Sequence, residues 1–170
     1  MCPVNDTSFA PATSERLAGL CESLAGLAPI LTDHGLIGLV EPLGFAEYSL
    51  RFKAEAVAAI DAVGAADRFA LVHDTFHHYV ADEKEFFPKR TGLVHISGVE
   101  DPAQTAATMR DPHRVLVASS DMIGNAGQIK TLIAGGYAGA FSFEPFATSV
   151  HADANITRSL ASSRDYLNAA

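Results

Sequence analysis

The sequence predicts an α/β fold built on a parallel sheet, and two observations carry that prediction. Short apolar runs recur along the chain at Leu36-Ile37-Gly38-Leu39-Val40, Phe69-Ala70-Leu71-Val72, Leu93-Val94-His95-Ile96 and Ala140-Phe141-Ser142-Phe143. The first of these has no alternation of polar and apolar residues, the pattern of a strand covered on both faces. Segments with helical spacing or good helix formers lie between the runs, and repeated strand–helix units of this kind form parallel sheets.

Taken in order, Met1-Cys2-Pro3-Val4-Asn5-Asp6 reads as the end of a strand entering a loop, punctuated by Pro3 and the Asn-Asp pair. Thr13 and Ser14 are positioned to cap a helix with Leu17, Leu20, Cys21, Leu24 and Leu27 on one face, which Pro29 interrupts or kinks and Gly35 ends. The run Leu36–Val40 stops at Glu41-Pro42. A helix follows over Leu50–Val63, with Phe52, Ala56, Ala59, Ile60 and Val63 apolar and Gly64 as terminator. The strand Phe69–Val72 ends at His73-Asp74, and Tyr79–Phe87 is expected to form a short helix or turn stopped by Pro88.

After the strand Leu93–Ile96, the polar stretch Glu100–Arg114 reads as a long loop, because Pro102 and Pro112 break any continuous helix. Long loops in compact domains are usually functional. Val115-Leu116-Val117 is too short to stand as a strand and reads as extended loop. Asn125–Ile133 has helical spacing closed by Gly135-Gly136, the strand Ala140–Phe143 ends at Glu144-Pro145, and a helix over Ile156–Leu167 closes the chain.

The 170 residues, 48% hydrophobic and 19% charged, fit one globular domain spanning 1–170 or a large piece of one. A formal charge of −8 disfavours nucleic acid as a partner, since such binding draws affinity from Lys and Arg neutralising phosphates. No stretch has the pattern of a signal peptide or a membrane span, so the expected compartment is the cytoplasm with no membrane partner. Cys2 and Cys21 lack the spacing of a zinc knuckle or disulfide framework and read as reduced thiols.

Sites in parallel sheets lie beyond the carboxyl ends of the strands, whether the sheet is open or closed into a barrel. The four apolar runs end in Glu41, Asp74, His95 and Glu144, one metal-capable side chain each. A lone strand histidine such as His95 is commonly a satisfied core residue, Glu41 alone a surface carboxylate and Asp74 alone a helix cap. Repetition at four equivalent strand ends makes a shared metal site the better explanation. Three carboxylates and one imidazole suit a hard or borderline divalent ion, Mg²⁺, Mn²⁺, Co²⁺ or Zn²⁺, with coordination positions left for two substrate oxygens. His77, three residues beyond Asp74, is placed to touch substrate, whereas His73 and His78 have no claim on the metal. Arg51, Arg110 and Arg114 are candidates for an anionic or polyhydroxyl substrate, and Arg114 joins His77 as a substrate-binding candidate.

Glu41-Pro42-Leu43-Gly44-Phe45, His73-Asp74-Thr75-Phe76-His77-His78, Thr91-Gly92-Leu93-Val94-His95-Ile96-Ser97 and Phe141-Ser142-Phe143-Glu144-Pro145-Phe146 together resemble the xylose isomerase-like sugar phosphate isomerase/epimerase family, with inosose and hydroxypyruvate isomerases as the nearest kin. The resemblance implies a TIM-type (β/α)₈ barrel with one divalent metal held by Glu41, Asp74, His95 and Glu144. It implies further that Glu41 and Glu144 exchange a proton with a keto-sugar or inosose through a cis-enediolate, and that His77 touches substrate. Such barrels typically take about 250 residues. The chain matches only the later, C-terminal part of the pattern, so an incomplete, roughly half barrel is expected, covered by a second copy or a partner chain. The alternatives are a sugar- or metal-binding remnant with little catalysis, or a dehydratase of the same superfamily.

Overall fold

The computed structural model describes residues 3–4 and 12–170. The expected N-terminal strand end and Cys2 fall outside the described residues, apart from Pro3 and Val4. The Val4 amide donates to Ser49 Oγ at 2.9 Å.

Helix α1 runs from Thr13 to Asp33 without interruption, so Pro29 neither ends nor splits it. The cap differs from expectation too. Ala12 occupies the N-cap position and Glu15 reaches back to accept from its amide at 3.1 Å. Leu24 is fully buried, with Leu20, Cys21 and Leu27 packed beside it. Strand β1 is confined to Gly38–Val40, α2 covers Lys53–Ala62 and β2 extends over Phe69–Asp74.

The expected short helix over Tyr79–Phe87 is displaced. Helix α3 occupies Thr75–Ala81 and begins directly off the strand. The cause is Asp74, whose Oδ1 accepts from the amides of Phe76 and His77 at 2.8 and 3.1 Å and so caps the helix at once. Asp82 in the left-handed region ends it. Strand β3 covers Thr91–Ile96, α4 Asn125–Ala134, β4 Ala140–Phe143, α5 Thr148–His151 and α6 Ile156–Ala169.

The four strands form one parallel sheet in the order β1-β2-β3-β4. Consecutive parallel neighbours joined through helices are the repeat of a TIM-type barrel, present here as four strands of the eight. Between β2 and β3 the register steps from Leu71↔Thr91 to Val72↔Leu93, so β3 carries one extra residue, Gly92. A Cβ on Gly92 would lie 2.8 Å from Leu39 Cδ2 and 3.0 Å from Ala70 Cβ, which suits glycine.

Alternation along each strand sends one set of side chains to the helical layer. Val40 and Leu71 pack with Leu24, Ala56, Ala59 and Ile60 of α1 and α2, while Val94, Ile96 and Phe143 pack with Leu132, Tyr166 and Leu167 of α4 and α6. The loop after β3 is well anchored: Gly98 and Val115 form an antiparallel bridge, and Val99, Met109 and Ile123 are buried with Phe45, Phe76 and Val80. No helix among the described residues is long and apolar enough to cross a membrane.

Candidate metal centre

The residue after each outward-packed side chain turns to the opposite face of the sheet. Glu41 follows Val40, Asp74 follows His73, His95 stands between Val94 and Ile96, and Glu144 follows Phe143. Asp74 and His95 are register partners, which sets them side by side. The structure brings all four together: one ligand atom from each lies within 4.8 Å of every other. The donor set of three carboxylate oxygens and one imidazole nitrogen, converging within a few ångströms on one face, fits a hard or borderline divalent cation.

The charges of the group are balanced by its own neighbours. His95 Nδ1 lies 3.0 Å from Glu41 Oε1 and 3.2 Å from Glu144 Oε2. Hydrogen bonds to Glu144 and then Glu41, opposed by burial, push the His95 pKa up to about 10, so the imidazole is held as a cation. Burial alone would raise the Glu144 pKa, but the His95 hydrogen bond and the charge of Arg114 outweigh it and hold the carboxyl below its ordinary value.

Arg114, 1% exposed, donates from Nη2 to Asp74 Oδ2 at 2.6 Å and to Glu144 Oε2 at 2.8 Å. Its Nε donates to Ser97 Oγ at 2.9 Å and its Nη1 to Asp111 Oδ1 at 3.3 Å. The rings of Phe76 and Phe146 lie 5.0 and 4.7 Å from the guanidinium carbon. Burial works against its charge, yet Asp74 and Glu144 override that and raise its pKa.

His77 is buried beside this group, and its Nδ1 accepts from the Gly44 amide at 3.2 Å. The proton of the neutral ring therefore sits on Nε2. Burial lowers the His77 pKa against the pull of Asp74, which favours that neutral form. Gly44 has no room for a side chain, since a Cβ there would lie 2.2 Å from the His77 carbonyl oxygen. The Glu41 loop thus sits flush on α3.

The other histidines of the cluster are turned elsewhere. His73 Nε2 meets Gln128 Oε1 at 3.0 Å in the helical layer, and His78 Nδ1 lies 2.7 Å from Lys53 Nζ. Burial, with the charge of Lys53 second, lowers both pKa values to about 3. Lys53 is itself paired with Glu83 at 3.0 Å. Arg51 donates to the Gly44 carbonyl at 2.8 Å, and Arg110 donates to the Ala107 and Met109 carbonyls and covers the Phe45 ring. Both of these arginines are engaged in holding loops, in contrast to Arg114. Cys21 is half-buried against α2 and lies in none of these groups.

Sequence reasoning missed Ser97 and Phe76. Ser97 had a signal available: it lies two positions beyond His95, on the same side of an extended chain. Phe76 had none, because its contact with Arg114 is purely tertiary.

The comparisons with known proteins bear on the fold and its lineage. Residues 1–166 match the family described as xylose isomerase-like TIM barrel. The chain belongs to that family. A xylose isomerase domain-containing protein from Salmonella typhimurium is 32% identical with a TM-score of 0.80, and the match covers 99% of this chain and 60% of that one. The IolI protein, solved with a bound zinc atom, is 17% identical with a TM-score of 0.74, over 93% of this chain and 57% of that one. D-psicose 3-epimerase from Clostridium cellulolyticum, solved with D-tagatose, is 18% identical with a TM-score of 0.70, over 99% and 60%. The chain thus spans about 60% of the length of these family members. No curated protein matches the chain.

Proposed function

We propose that the chain carries the metal-binding part of a metal-dependent sugar isomerase or epimerase whose substrate is a keto-sugar or inosose. The observation that carries this reading is the convergence of Glu41, Asp74, His95 and Glu144 at four strand ends, with Arg114 beside them. The zinc atom in IolI and the sugar in the psicose epimerase support the same chemistry here.

Glu41, Asp74, His95 and Glu144 would hold one divalent ion, which when bound stabilises the oxyanion that develops as a proton leaves the carbon beside a carbonyl. In this reading Glu41 and Glu144 serve as base and acid. One carboxylate takes the carbon-bound proton, and the electron pair moves to the carbonyl oxygen to give an enediolate. Return of a proton to the neighbouring carbon isomerises the sugar, and return to the opposite face of the same carbon epimerises it. Neutral His77 donates from Nε2 to a substrate oxygen, and Arg114 supplies a fixed positive charge.

The barrel must also be covered. β1 and β4 each have one partner in the sheet among the described residues, and Leu36 and Ile37 are more than half exposed. We take a second copy or a partner chain as the cover. Titration calorimetry with Mn²⁺, Co²⁺, Mg²⁺ and Zn²⁺, followed by assay on ketoses and inososes, tests the reading. Metal binding with turnover abolished by Glu41→Gln or Glu144→Gln is expected. A chain that binds none of these ions refutes it, and metal binding without turnover in an assembly shown to be closed leaves a binding module instead.

A further inference from the structure

We propose that Ser97 is a positioning residue: its hydroxyl fixes the rotation of Arg114 so that one guanidinium N–H stays free for a substrate oxygen. This rests on the isomerase reading above and deepens it.

A guanidinium has five N–H groups in one rigid plane. Nη2 spends two, on Asp74 and Glu144, Nη1 spends one on Asp111 and Nε spends one on Ser97. The second N–H of Nη1 meets no acceptor among the described residues. It lies in the same plane as the bonds to two of the four clustered ligands.

Phe76 and Phe146, on the guanidinium at 5.0 and 4.7 Å, resist tilting out of that plane but not rotation within it. Rotation is resisted by the two bonds at Nη2 as well, but Asp74 and Glu144 are candidate metal ligands, which leaves the bond at Nε as the anchor that does not depend on the ion. Ser97 is completely buried and itself held: its carbonyl accepts from Asn125 Nδ2 at 2.9 Å, in the first turn of α4. Asp111 is 43% exposed, so water competes for its bond and it is the weaker anchor. A hydroxyl also suits the position because it accepts without adding negative charge, leaving the Arg114 cation to the two carboxylates.

The test compares Ser97→Ala with Ser97→Thr, which keeps the hydroxyl. In the Mg²⁺-loaded full chain, the Arg114 Nε–H cross-peak, assigned by its disappearance in Arg114→Lys, is expected to be protected from exchange in wild type and Ser97→Thr and lost in Ser97→Ala. On whichever keto-sugar or inosose the wild type converts, Ser97→Ala is expected to raise KM about 10- to 100-fold with a smaller change in kcat, the range for loss of such supporting bonds. The proposal is overturned if Ser97→Ala keeps the protected cross-peak, or if Ser97→Thr is as impaired as Ser97→Ala. Should Ser97→Ala fail to fold, Ser97→Cys, with its weak acceptor, takes its place under the same expectations. If the wild type converts no substrate in an assembly shown to be closed, the isomerase reading fails on its own and the cross-peak alone decides the role of Ser97.

Discussion

Replacing Arg114 with methionine isolates the electrostatic contribution of the cation to the metal-free protein. The side chain is 1% exposed, and methionine fills a similar volume between Phe76 and Phe146, so the packing penalty is small. Besides the bonds to Ser97 and Asp111, the substitution removes the bond at 2.6 Å to Asp74, whose side chain is 0% exposed, and the bond at 2.8 Å to Glu144, whose side chain is 31% exposed. Leaving one partner of a buried ion pair uncompensated costs about 3–5 kcal/mol. Most of that arises at Asp74, since water reaches Glu144. For a chain of this size each kcal/mol lowers Tm by roughly 2–4 °C, so the loss is on the order of 6–20 °C. Thermal unfolding in the presence of a chelator measures it. Adding Mn²⁺ returns positive charge to the same carboxylates, so the variant is expected to gain more in Tm from the metal than wild type does. A variant that melts within about 2 °C of wild type in chelator, or that gains no more than wild type from Mn²⁺, refutes the idea that Arg114 neutralises the ligand carboxylates.

Three further expectations follow from the same geometry. His78, neutral in the folded chain with its pKa lowered to about 3, takes up a proton on unfolding at mildly acidic pH. The unfolded state then binds more protons, so stability present above about pH 6.5 is lost as pH falls toward 3, by up to about 1.4 kcal/mol per pH unit for that group, readable from urea midpoints and flattened in His78→Gln. Binding of Mg²⁺ to the metal-free protein at pH 7 is expected to expel close to one proton from His95, whose pKa is about 10, so that apparent affinity rises with pH up to that value. Calorimetry in buffers of different ionisation enthalpy counts the proton, and a count near zero contradicts the placement of His95 among the ligands. Gly44→Ala forces a methyl to within 2.2 Å of the His77 carbonyl oxygen and is expected to destabilise the chain by about 1–3 kcal/mol and to weaken metal binding by moving the Glu41 loop.

The four strands and the convergence of Glu41, Asp74, His95 and Glu144 were legible because both follow from local pattern: apolar runs mark the strands, and polar residues at their ends mark the candidate site. Elements shaped by tertiary or side-chain context were not. Helix α3 starts at Thr75 because Asp74 caps it while also standing in the cluster, whereas in sequence the cap and ligand roles stand against each other as alternatives. Pro29 lies within one continuous helix, so the local breaking signal does not decide the outcome at that position. In sequence Arg114 is favoured over Arg51 and Arg110 as a substrate contact, but only packing shows that those two hold loops while Arg114 meets the carboxylates.

How the extra residue in β3 is accommodated decides whether the candidate site forms. Were the bulge ironed out and Gly92 paired with Val72, Asp74 would face Val94, and His95 would turn into the helical layer where Val94 and Ile96 now pack. The candidate centre therefore depends on the bulge at Gly92 as much as on the identity of any residue in it. A regular, unbulged strand of the same residues would keep all four side chains in the chain while dispersing them to two faces of the sheet. The same letters in a strand paired without the bulge would not meet, so the pairing within β3, and not the residues alone, decides whether the four side chains converge.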